Sequence, residues 1–359
     1  MKVTMNGKAG NYPYACARVK ARKALLLPAE AYPRLLNMDL AEISRFLGEG
    51  LYRREVDELS SRYSGVDLIE HATYLNLART CHSIMGFTRG ELNTMVRHFL
   101  NRWDVYNFET VIRGRTAGAV WDHVEEDIVP AGAFDMDLFK ALFDAADMEG
   151  MVAVLKRAAS SYGFEPVLLK LLRERPGALP GLAELENALE KEYYLRLLGA
   201  IPGTTRANRL FLGYLRAEID TVNLKTLFKL KFENVAVEKV SQMLIPAGEQ
   251  LGPPVLRALA GAEDFEGFLT ELSGLRIYES VREPASQAMS KGSLNDVLLG
   301  LDRHLMTMAM RFSHLYPLSV LPVIDYLLRK KAEVDNIRII ARGRQGGLPD
   351  GVIRGLLML

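Results

Sequence analysis

Cysteine is nearly missing: Cys16 and Cys81 are the only two in 359 residues, too few for a disulfide framework, and reduced thiols in a cytoplasmic protein are the simple reading. Histidine is scarce as well. His71, His82, His98, His123, His304 and His314 never fall into HExxH or a Cys/His zinc spacing, so ordinary surface or core histidines and no metal ligand are expected. No GxxxxGK[ST] phosphate loop is present, because the stretches Gly114–Gly118 and Gly343–Gly347 lack the lysine that reaches phosphate. A GxSxG serine elbow is missing too. With 44 acidic residues, no catalytic carboxylate pair can be picked out. Catalytic, cofactor-binding and metal residues are therefore all expected to be none, and no small-molecule substrate is expected.

Charge of one sign is also lacking. The formal net charge of +1 gives no overall attraction to nucleic acid or to an anionic membrane, so any charged partner surface must be local. The most basic segment, YACARVKARKALLL with Arg18, Lys20, Arg22 and Lys23, reads as a solvated helix face, a contact with nucleic acid or lipid headgroups being the other reading. Long apolar runs are missing: YPLSVLPVIDYLL from Tyr316 carries two prolines after its tyrosine and an aspartate, short of the roughly 20 apolar residues a spanning helix needs. The first residues lack the apolar core of a secretory signal. No alternating run is long enough for a sheet, and the fold class is read as all-α.

What the chain does have is one stretch three times over. WDVYNFETVIRGRTAG from Trp103 returns as EIDTVNLKTLFKLKF from Glu218 and as KAEVDNIRIIARGRQGG from Lys331. Each copy is anchored on an asparagine (Asn107, Asn223, Asn336) with an acid three residues earlier (Asp104, Asp220, Glu333). The apolar trios Phe108/Val111/Ile112, Leu224/Leu227/Phe228 and Ile337/Ile340/Ala341 have the spacing of one helix face. Basic pairs follow, Arg113/Arg115, Lys229/Lys231 and Arg342/Arg344. The asparagines are 116 and 113 positions apart, a period of about one small domain. Pro130-Ala131-Gly132 and Pro246-Ala247-Gly248 both begin 23 positions after their asparagine. A second motif precedes each copy: MDLAEISRFL, ADMEGMVAVL and EDFEGFLTEL, with Asp39, Asp147 and Asp264 aligned. These landmarks divide the chain into repeats at 1–132, 133–248 and 249–359.

In order, helices are expected at the basic opening segment, from Asp39 with Glu42 completing a capping box, from Leu51, and from Val66 after a break at Ser64-Gly65. Thr88 and Glu91 have capping-box spacing for a long helix that runs to Arg113 and ends at Gly114. Pro176-Gly177 and Pro202-Gly203 bound helices from Leu182 to Leu198 and from Thr204 to Phe232. Glu70-His71-Ala72 and Glu186-Asn187-Ala188 sit 37 positions before their asparagines. Leu299 takes the glutamate's place in the third copy, so that contact is lost or replaced. LNDVLLGLDRHLMTMAMRFSHL leads into a last long helix from Pro317 to Arg342.

The opening YxxxRVKARKxLLL spacing, WDVYNFETVIRGR, and LLRKKAEVDNIRIIARGRQGGLPDGVIRGLL at the end together resemble the C subunit of archaeal-type ATP synthases, related to the d subunit of vacuolar-type proton ATPases. The resemblance covers nearly the whole chain. It implies a funnel of helices in three lobes with pseudo-threefold symmetry. It also implies a non-catalytic rotor part in the central stalk, a socket between the central-shaft subunit and the membrane ring of proteolipid subunits, so that proton or sodium flow is coupled to ATP synthesis or hydrolysis elsewhere in the complex. Such a protein would be cytoplasmic, peripheral on the cytoplasmic face of the cell membrane, with no nucleic acid partner. A helical scaffold or enzyme that uses the same repeat with an unrecognised site is the alternative.

A polar Asp/Asn pair beside an apolar stripe is costly unless hydrogen-bonded, and Asn is a poor helix former. Asp104/Asn107, Asp220/Asn223 and Glu333/Asn336 are thus expected to tie helices together, a binding contact being the other reading. The basic pairs sit at helix C-termini, where the macrodipole favours cations. If the lobes are symmetry-related, these residues form a ring that could contact a partner.

Overall fold

The computed structural model describes residues 9–158, 164–174, 181–233, 240 and 243–359, and among them it is all-helical with no strand. The expected Pro176-Gly177 loop lies outside the described residues. In chain order the helices are α1 (Tyr12–Lys23), α2 (Ala31–Leu36), α3 (Leu40–Gly48), α4 (Arg53–Leu59), α5 (Gly65–Phe87), α6 (Gly90–Leu100), α7 (Arg102–Thr116), α8 (Trp121–Asp127), α9 (Met136–Asp144), α10 (Met148–Arg157), α11 (Phe164–Glu174) and α12 (Leu182–Ala200). They continue as α13 (Arg206–Phe232), α14 (Pro253–Gly261), α15 (Phe265–Leu272), a 3₁₀ turn at Arg276–Ser280, α16 (Arg282–Lys291), α17 (Asn295–Leu315), α18 (Leu321–Gln345) and α19 (Asp350–Leu356).

The three aligned aspartates start equivalent helices. Asp39 accepts the backbone N–H of Glu42 while Glu42 returns a bond to Asp39 N. Asp147 and Asp264 each accept from the glycine three positions on. Each cap supplies a partner to an amide the first turn leaves open, worth ~1 kcal/mol.

Two expected helices change length. The one expected from Thr88 to Arg113 is broken at Asn101 into α6 and α7. At the break the Phe99 carbonyl accepts from the Tyr193 hydroxyl at 3.1 Å and from Arg102 Nε at 3.0 Å. Thr88 does not cap it, since its hydroxyl donates back to the Ile84 carbonyl. Gly114 lies inside α7, and a Cβ there would collide with Val124 of α8. The turn is made by Gly118, at φ +67°. The third copy repeats this, with Gly343 against Ile353 of α19 and Gly347 at φ +65°. The last long helix begins at Leu321 rather than Pro317, because the Ser319 hydroxyl accepts the Leu321 N–H and residues 316–320 form a separate tip.

By contact the chain forms two compact units. One holds Met1–Leu26 and Met38–Pro202, the other Leu27–Asn37 and Gly203–Leu359. In the first, α7 packs against α8, α9 and α12. Its core carries an aromatic run in which Phe108 meets Phe164 at 5.3 Å and Phe164 meets Phe134 at 5.6 Å. In the second, α13 and α18 flank α17, and Phe228 meets Phe268 edge-on at 5.0 Å within a cluster that includes Leu224 and Leu227. All nine residues of the three apolar trios are buried, each large one stabilising the fold by roughly 1.5–3 kcal/mol.

Candidate functional site: the repeated acid and asparagine cages

The asparagines lie within the helices α7, α13 and α18, with their side chains buried. Each amide makes a reciprocal pair of bonds to the main chain 22 positions on. Asn107 Nδ2 donates to the Val129 carbonyl at 2.7 Å and its Oδ1 accepts the Val129 N–H at 2.8 Å. Asn223 does the same with Ile245 at 2.8 and 2.8 Å, and Asn336 with Met358 at 2.9 and 2.8 Å. A short side chain that both donates and accepts is needed to meet one residue's N–H and C=O together, and the Asn amide supplies it.

The acid one turn earlier gathers the next amides. Asp104 accepts Ala133 N–H at 2.9 Å and Phe134 N–H at 2.9 Å. Asp220 accepts from Glu249, Gln250 and Leu251 at 3.1, 2.8 and 3.0 Å. A Cβ on Gly132 or Gly248 would fall on that carboxylate, which is why the Pro-Ala-Gly turn ends in glycine in both copies. The third acid differs. Glu333 Oε2 accepts the N–H of Leu27, 306 positions away, at 2.5 Å, and its Oε1 accepts from Lys330 Nζ at 2.8 Å with both side chains buried. The segment Leu27–Asn37, which carries α2, stands where α9 and α14 follow the other two cages. Its Tyr32 is buried beside Glu333 and Asn336, and burial first, then the Glu333 charge, pushes the phenol up to about 12.

With no counterion among the described residues, burial pushes Asp104 up to about 7, against the opposing pull of the Ala133 and Phe134 amides. Asp220 is raised for the same reason and opposed by its three amides. Longer reach and a lysine at the third position therefore come as a set: a glutamate held by Lys330 replaces an aspartate held by backbone alone.

The basic pairs split by position. Arg113, Lys229 and Arg342 are exposed, and Arg113 forms ion pairs with Glu186 of α12 at 2.6 Å and Glu109 at 3.5 Å. Burial pushes the Glu109 carboxyl up to about 8, with Arg113 opposing and Glu186 and Glu190 adding to the rise. The second member of each pair turns inward. Arg115 donates to the carbonyls of Leu142, Phe143 and Ala145 at the end of α9, and Lys231 Nζ to the Ala262 carbonyl at the end of α14. Each thus caps a neighbouring helix's C-terminus as well as lying in the last turn of its own. Arg344 pairs with Asp350 at 3.0 Å. At the α13–α17 contact, where Leu299 replaces the glutamate, Lys225 pairs with Asp302 at 2.6 Å instead.

Sequence reasoning missed Leu27, Lys330 and Tyr32. Lys330 alone left a trace, as a basic residue three positions before the acid in a helix. Among the described residues no group of three His, Cys, Asp or Glu side chains could hold a metal ion, and no helix is long and apolar enough to cross a membrane.

Residues 15–356 match the model of the family described as ATP synthase (C/AC39) subunit. Similar proteins are the A-type ATP synthase C subunits of Methanosarcina barkeri (37% identical, 97% of this chain and 93% of the relative), of Methanococcoides burtonii (35%, 99% and 96%) and of Archaeoglobus fulgidus (34%, 98% and 98%).

Proposed function

The chain belongs to the C/AC39 subunit family of ATP synthases, and from that premise we propose that it is the socket of a rotary A-type ATP synthase, joining the central-shaft subunit to the membrane ring of proteolipid subunits. It is a non-catalytic subunit of the complex. Its task is to pass torque between ion flow in the membrane and ATP chemistry in the catalytic head, and it works from the cytoplasmic face.

The observation that carries this reading is the cage repeated in α7, α13 and α18. Torque twisting a soft connector is lost as strain, and close-packed interiors of low compressibility resist that twist. Each cage pins a long helix to main chain elsewhere through buried side-chain bonds, whose release would leave polar groups unpaired in the core. We read the three repeats, 1–132, 133–248 and 249–359, as three similar lobes, a form suited to gripping an asymmetric shaft and a ring of identical subunits. Arg113, Lys229 and Arg342 supply rim charge, which tunes recognition and association rate.

The test is reconstitution of the complex without this chain. The catalytic head keeps hydrolysing ATP while ATP-driven ion transport disappears. Undiminished transport in its absence refutes the socket role.

A further inference from the structure

One end of the second unit is unlike the rest of the surface. Arg206 at the start of α13 places its guanidinium 5.9 Å from the Tyr316 ring, in the turn between α17 and α18, so the first turn of α13, the last of α17 and the tip before α18 share one end. There Leu315 and Leu318 are 57% and 63% exposed. Single exposed leucines are ordinary; two within four residues, beside an exposed proline, make a patch.

The two segments that form the patch carry charge of one sign. In a chain with 44 acids and 45 bases, no Asp or Glu occurs from Gly203 to Ala217 or from Arg303 to Ile324. Arg206, Arg209 and Arg311 are exposed there, and Arg209 donates to the Gly203 and Thr204 carbonyls. All of the exposed cations are arginine and none is lysine. Arg, together with apolar and aromatic residues, is the composition of protein interfaces, where Lys is depleted.

The first copy shows what covers such a tip. Phe87 and Tyr316 each lie 20 positions before their asparagine. The Phe87 tip is capped by the start of α1: Asn11 donates to the Phe87 carbonyl and accepts the Arg89 N–H, and Tyr14 and Arg18 pack on the Phe87 ring. The tip at Tyr316 keeps its leucines exposed.

We propose that the Leu315–Leu318 tip is a docking point for another subunit of the same complex, one that offers an apolar pocket with an acidic rim. This rests on the rotor reading and adds where a partner seats and what chemistry it presents. The leucines supply the buried centre and the arginines the carboxylate contacts.

The test measures rebinding of the chain to complex stripped of it, at several salt concentrations, and separately its binding to vesicles of three parts phosphatidylcholine to one of phosphatidylglycerol. The variants are L315D/L318D and R206E/R311E, with R206K/R311K retaining charge without the planar fork, and far-UV circular dichroism checks that each folds. The expected result is rebinding at least tenfold weaker for both acidic variants, a shallower salt dependence for R206E/R311E, and partial recovery in R206K/R311K. Rebinding like the wild type by folded acidic variants overturns the proposal. So does unchanged rebinding with loss of vesicle binding, which makes the tip a lipid contact. Either failure leaves the coupling role standing, because that role is read from ion transport in the chain's absence.

Discussion

Replacing Asn107 by alanine deletes one donor and one acceptor in a fully buried setting and strips the Val129 N–H of its partner, while the Val129 carbonyl keeps the Ala131 N–H at 2.7 Å. An orphaned buried group costs about 1–3 kcal/mol, which is the loss expected here, the lower end applying where water enters the space vacated by the amide. Asn107→Asp separates the two halves. The carboxylate still accepts the Val129 N–H but turns a second oxygen on the Val129 carbonyl, so N107D is destabilised at neutral pH. Acid protonates that carboxyl, restores a donor, and narrows its gap to wild type. Urea unfolding followed by circular dichroism at several pH values reads both effects. A loss below about 0.5 kcal/mol for N107A, the scale of an ordinary surface substitution, would refute the claim that the cages hold the helices.

Other outcomes follow from the same geometry. Asp104, raised from its ordinary range to about 7 by burial, binds its proton more tightly folded than unfolded, so its contribution to stability is full below about pH 4 and is lost as pH rises to 7. The stability difference between wild type and D104N should shift across that window and level off above it; a constant difference from pH 4 to 8 contradicts the argument. Gly132→Ala drives a methyl into the Asp104 carboxylate and should cost about 1–3 kcal/mol by overpacking, with much of the loss recovered in G132A/D104A; strict additivity of the two changes would show that no clash exists. Lys330→Met strips the buried Glu333 of its cation, a loss of about 3–5 kcal/mol measured by the same unfolding assay, whereas Arg113→Ala at a half-exposed pair should cost less than about 1 kcal/mol.

How far the sequence foretells this depends on where each partner sits. The all-helical class and the capping box at Asp39/Glu42 follow from local spacing, and the structure has both. The cages are half legible. Asn107, Asn223 and Asn336 stand out because a poor helix former recurs at one position, and Gly132 and Gly248 because the carboxylate excludes a side chain there. Their partners at Val129, Ile245 and Met358 are main-chain groups, which leave no mark on residue type. Leu27 is further out of reach, since a backbone amide 306 positions from Glu333 obeys no repeat offset. The break at Asn101 escapes because it is made by Tyr193, far along the chain, and Arg102. Gly114 and Gly343 look like helix stops but serve close helix approach, while the turns belong to the glycines four positions later.

Torque transmission has one direct readout. Cys16 and Cys81 are both buried, so a cysteine placed at the exposed Met289 can carry a bead without labelling elsewhere. With the catalytic head of the reconstituted complex fixed to glass and ATP supplied, the bead on M289C should turn in one direction, in step with a bead on the shaft. A bead on this chain that stays still while the shaft turns would contradict the account.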